Sequence, residues 1–159
     1  MTLDSILAER LKFLIRVVRK ECIHLQTTDQ RLFSVPFTSQ IAAQLDTDPD
    51  LGERVEAFVG RYGRLQDTVG DRLLPLVLRA LGEKPGAVID NLDRAEGLGL
   101  LDSADEWMAA RNIRNQMVHE YIEDLELLTS ALLTGHAFVP VLIATANVIV
   151  SAVEQRGWV

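Results

Sequence analysis

The chain has 159 residues, 48% hydrophobic and 25% charged, which suits one domain able to bury a core without disulfides or metals. A net charge of −7 and a pI near 4.9 exclude general phosphate-backbone binding of DNA, which needs many Lys and Arg, so any nucleic acid must meet a local basic pocket. The single cysteine, Cys22, excludes an internal disulfide and a Cys-rich zinc site.

Leu3, Leu7, Leu11, Leu14, Val18, Cys22 and Leu25 recur at spacings of three and four, which predicts a helix over about residues 2–27. Cys22 lies on that stripe as a structural thiol. Met1-Thr2-Leu3-Asp4 has no basic region ahead of an apolar core, so no signal peptide and a cytoplasmic location are expected. Residues 28–38 read as a connection, with Phe33, Val35 and Phe37 in a short extended piece and Pro36 arguing against a central strand. A short helix is predicted around Gln40–Leu45, capped by Thr38 or Ser39. A turn at Asp46–Asp50 then opens a helix with Pro49 near its first position.

Leu51, Val55, Phe58, Tyr62, Leu65, Val69 and Leu73 continue that helix to about Leu81, and Pro75 should kink or divide it. Its charged run Arg61, Arg64, Asp67, Asp71 and Arg72 reads better as a solvated face with ion pairs along the helix than as a set of phosphate contacts. Gly82–Gly86 ends it; a shorter helix over Ala87–Glu96 is closed by Gly97 and Gly99. Ser103-Ala104-Asp105-Glu106 fits a capping box opening a helix that holds Trp107, read as a packing residue, and runs to about Val118. The last helix is predicted from near Asp124 to about Gln155, bent or broken around Gly135 and Pro140. Residues 127–153 carry no formal charge and are long enough to cross a bilayer, but their Thr, Ser, Asn and His residues suit a helix buried in a bundle or dimer interface, so no membrane span is expected. His136 within it reads as a core or interface histidine. No internal repeat, sheet or domain boundary is visible, which predicts one all-α domain over 1–159, an up-and-down bundle of four to five helices.

The informative stretch is Glu106–Tyr121. Arg111, Asn115 and His119 are four apart and share a helix face, with Arg114 one step of about 100° away. Arg offers a rigid fork of donors to a phosphate, and His can take or give a proton near neutral pH. Together they suit phosphodiester cleavage without a metal. No carboxylate cluster has metal-ligand spacing, and His24, His119 and His136 form no zinc motif, so neither metal nor cofactor is expected. The same residues also suit a plainer role, His119 at a helix C-terminus and the arginines in surface ion pairs.

Arg114-Asn115, followed after three residues by His119-Glu120-Tyr121, resembles the signature of HEPN domains, and most closely the toxin branch paired with a minimal nucleotidyltransferase. Helix order extends the resemblance over most of the chain, and residues 97–125 carry its specific part. The resemblance implies a HEPN-like helical bundle, a homodimer joined through the motif-bearing face, and a metal-independent endoribonuclease acting on RNA. It implies that Arg114 stabilises the phosphorane-like transition state, His119 is general acid or base, and Asn115 positions the phosphate or His119. Arg111 and Arg94 would add phosphate or RNA contacts. Tyr121 would be the hydroxyl that the nucleotidyltransferase antitoxin modifies with AMP. The alternative it leaves open is a non-catalytic subunit that presents substrate to, or scaffolds, a nucleotidyltransferase.

Overall fold

Helix α1 spans Ser5–Leu32. Asp4 caps it by accepting from the Ile6 N–H at 3.1 Å. The connection expected at residue 28 is displaced, because Thr28 and Leu32 fall on the same buried face as Leu25 and carry the stripe one turn further. The extended piece predicted after it is absent: Phe33 instead packs edge-on against Phe37 and Phe58, with ring centroids 6.3 and 5.2 Å away. The computed structural model describes residues 3–120 and 124–159, and of His119 and Glu120 the backbone alone.

Thr38 caps the single turn of α2 (Ser39–Ala42), and Asp48 caps α3 (Pro49–Asp67), with Pro49 in the first turn as predicted. The division expected from Pro75 takes a specific form. Residues Thr68–Leu73 widen into a π-helical segment in which the Leu74 N–H donates five residues back, to the Val69 carbonyl. The chain then resumes as α4 (Leu74–Ala80), with Pro75 in its first turn, where a missing N–H costs least. Gly82 at φ +83° ends α4 in a conformation that favours glycine, and the Glu83 N–H returns to the Leu78 carbonyl. In α5 (Val88–Gly97), Asn91 grips the preceding loop by exchanging two hydrogen bonds with the Gly86 backbone.

Helix α6 (Ala104–Glu120) opens at the predicted cap, where Ser103 accepts from the Glu106 N–H at 3.1 Å. A further free N–H of this first turn is satisfied from outside the helix, where Glu96 of α5 accepts from the Ala104 N–H at 2.9 Å. Helix α7 (Leu125–Gln155) runs unbroken through Gly135 and Pro140. Pro140 removes one backbone bond, but Gly135, Val139 and Leu142 are all buried, and that packing carries the helix across the defect. By length and composition α7 could cross a membrane; here its buried face packs against α1, α3 and α6.

Cross-links between helices define the topology. Arg61 and Thr68 reach Thr28 and Glu21 on α1, so α1 and α3 are antiparallel. Arg19 meets Glu154 at 2.8 Å and Asp29 meets His136 at 2.6 Å, so α1 and α7 are antiparallel as well. With α6 antiparallel to α3 and adjacent to α7, the four long elements close into an up-down-up-down bundle; α5 packs against α6, and α2 against α7. The regular secondary structure of the described residues is helical throughout, with no strand among them. Trp107, Tyr62, Phe58 and Met117 fill the centre, so Trp107 and Tyr62 are packing residues as predicted. His136 differs from a purely buried histidine: it stacks on Phe33 at 4.1 Å between centroids while its outer edge meets Asp29.

Candidate functional site

Glycines let α6 approach its neighbours closely enough to place the motif. A Cβ on Gly70, in the π segment, would lie 2.8 Å from the Trp107 indole nitrogen; one on Gly63 would lie 3.1 Å from Arg114 Nε. On α7, a Cβ on Gly135 would lie 3.1 Å from Met117 Sδ. Gly70 is the point where any side chain would force α6 away; at Gly63 and Gly135 the Arg114 and Met117 side chains would have to give by a few tenths of an ångström. Tyr62 adds a fixed link, its hydroxyl donating to the Ala110 carbonyl at 2.9 Å.

With α6 seated, two cations meet two carboxylates. Arg114 Nη2 lies 3.0 Å from Asp67 Oδ2, and Arg111 Nη1 lies 2.9 Å from Asp71 Oδ1. The ion pairs expected along the charged run of α3 are therefore not those that form: Asp67 and Asp71 pair across to α6, and Arg64 and Arg72 remain exposed. The side chains of Arg111 and Arg114 keep 31% and 36% of their surface exposed, so both guanidinium groups stay open to a further ligand. Asn115 is exposed on the next turn. His119 is in the last turn of α6 and its side chain lies outside the described residues, as does the whole of Tyr121. Arg94 is held at 3.4 Å by Glu83, which places it in a separate ion pair on α5. Among the described residues no group of three His, Cys, Asp or Glu is arranged to hold a metal ion.

Comparison of the chain with known protein families, with curated proteins and with solved structures finds no match. The site is therefore read from its own chemistry. Burial pushes the Asp67 carboxyl above its ordinary value, outweighing the opposing charge of Arg114. On the other flank of α3, Glu21 accepts from the Thr68 hydroxyl at 3.0 Å, and burial pushes its carboxyl up too, against the pull of that bond and of Arg64 and Arg72. Cys22 is half-buried, and its thiol is pushed up to about 11, which keeps it a poor nucleophile. Trp107 Nε1 and both amide atoms of Gln66, which precedes Gly70 by one turn, are buried without a hydrogen-bond partner among the described residues.

The raised carboxyls set a pH dependence. A folded-state pKa above the unfolded one means the folded protein holds that proton more tightly. Its contribution to stability is complete below the ordinary carboxylate pKa and is lost as pH rises through the raised value. We expect Glu21→Gln, which keeps the acceptor for Thr68, to melt increasingly above the wild type as pH rises from about 4.3 to neutral. A gap in melting temperature that stays constant or narrows over that window would contradict this account.

Sequence reasoning found the motif helix but missed Glu21 and Thr68 as partners, and Asp67 and Asp71 as anchors of the arginines. A usable signal existed for the anchors: acids four apart at the end of α3 and in the π segment after it face bases three apart on α6 when the two run antiparallel.

Proposed function

We propose that this chain is a metal-independent endoribonuclease toxin built on a HEPN-like bundle and restrained by a nucleotidyltransferase antitoxin. The observation that carries this reading is the placement of Arg111, Arg114 and Asn115 along the part-exposed side of α6, each guanidinium oriented by its own carboxylate, within the two turns or so that precede His119. Anchored guanidinium groups suit transition-state stabilisation, because they need little reorganisation as charge develops. Arg114 binds the phosphate and stabilises the phosphorane-like state, with Arg111 adding a second contact. His119 takes the proton of the ribose 2′-OH or returns one to the leaving 5′-oxygen, and Asn115 holds the phosphate or the imidazole. The exposed apolar residues Val118, Leu125 and Leu127 beside the motif suit a homodimer in which two such sites face one cleft. A cytoplasmic location belongs to the same proposal.

The other reading, a non-catalytic HEPN subunit that scaffolds a nucleotidyltransferase or presents its substrate, draws on the same ion pairs, since Asp67 and Asp71 compete with phosphate for the arginines. Induced expression separates the two. The toxin reading predicts growth arrest relieved by His119→Ala; a harmless wild type without its partner contradicts it. Incubation with the nucleotidyltransferase and ATP should add AMP at Tyr121, where the new negative charge blocks phosphate binding. Persistence of the adduct in Tyr121→Phe would show that the tyrosine is misassigned.

A further inference from the structure

A second cationic site lies on the opposite flank of α3 from Arg114. Between α1 and α3 a cleft of about 340 Å³ is lined by Val17, Lys20, Glu21, His24, Arg61 and Arg64. That volume falls at the small end of ligand pockets. Three permanent cations face one carboxylate, in a protein whose net charge is −7. Among the described residues, neither Lys20 nor Arg64 has a carboxylate within ion-pair distance. Arg61 is fixed in place, donating to the His24 carbonyl at 3.2 Å and to the Thr28 hydroxyl. Arg64 lies back along α3, its Nη2 3.5 Å from where a Cβ on Gly60 would stand. Unpaired cations gathered in a concavity, with one arginine pre-set, are what an anion of phosphate type needs.

Glu21 does not claim these cations: among the described residues it makes no ion pair, its Oε1 accepts from Thr68, and its Oε2 is buried out of reach of the cleft.

We propose that the cleft between α1 and α3 is a phosphate-binding site in which Lys20, Arg61 and Arg64 hold the phosphate group of a phosphate ester. The ester is either a free nucleotide or one link of an RNA strand; the shared chemistry is the phosphate. Binding here needs no turnover, so it stands or falls separately from cleavage at Arg114.

Titration calorimetry at low salt tests it, with AMP, an RNA pentamer and inorganic phosphate as the probes. AMP or the pentamer should bind saturably, inorganic phosphate should compete, and Arg64→Ala or Lys20→Ala should weaken binding at least tenfold. Arg79→Ala, which removes an exposed cation on α4, should leave it unchanged. Both Arg64 and Lys20 are exposed, so these variants should fold, and circular dichroism checks that they do. Saturation by AMP identifies a free nucleotide as the source; saturation by the pentamer alone identifies a strand. Failure of both to saturate at millimolar concentration, no competition by phosphate, or equal weakening by Arg79→Ala overturns the proposal.

Discussion

Gly70→Ala should destabilise the protein by about 1–3 kcal/mol, the usual cost of forcing extra volume into a packed core. For a chain of this length that is a fall of about 3–10 °C in melting temperature. The new methyl would lie 2.8 Å from the Trp107 indole nitrogen, and Trp107 is 1% exposed, so the ring has nowhere to go. The sign is informative because helix propensity pulls the other way: alanine exceeds glycine by up to about 1 kcal/mol in a helix interior. Gly60→Ala supplies the contrast. Its methyl would meet the flexible end of Arg64 at an ordinary 3.5 Å, so propensity should prevail and stability should hold or rise. Thermal melts of the two variants beside the wild type read the difference directly. Equal melting temperatures would mean that the close approach of α6 to the π segment is not what sets the helix in place.

Arg114→Ala should lower RNA cleavage by about a hundredfold or more, the scale lost when one preorganised donor to a developing oxyanion is removed. Arg114→Lys keeps the charge but loses the rigid fork, and should recover only part of the rate. Asp67→Asn tests the anchor. It keeps an acceptor for the guanidinium but removes the charge that competes with phosphate, so tighter substrate binding with a lower maximal rate is expected. Gly63→Ala addresses the same arginine from the other side, since its methyl would lie 3.1 Å from Arg114 Nε and must push the side chain aside. A loss of cleavage in Gly63→Ala at nearly unchanged stability would separate positioning of Arg114 from folding. Unaltered cleavage in Arg114→Ala would remove the arginine from the reaction.

Much of this architecture was legible because the periodicity is helical throughout. Asp48-Pro49 and Ser103 marked the starts of α3 and α6, and both caps are made. The end of α1 was not legible: Thr28 is polar, and its burial depends on Arg61 arriving from a helix 33 positions later in sequence. The form of the break at Pro75 was also hidden. Proline announces a defect, but a π segment spreads it over the six residues before Leu74. That segment contributes Gly70 and Asp71, the residues against which Trp107 and Arg111 sit. Arg94 was grouped with the motif on charge, but Glu83 from the preceding loop claims it. The Lys20 and Arg64 cleft could not be read from one helix, because its cations come from two faces that meet only when α1 and α3 pack.

The central claim is cleavage of RNA by the motif on α6 without a metal. Its most direct measurement is incubation of single-stranded RNA with the purified, unmodified wild-type protein in EDTA, beside His119→Ala and Arg114→Ala. The account predicts cleavage by the wild type that falls to background in both variants. No cleavage by the wild type, or equal cleavage by all three, would contradict it.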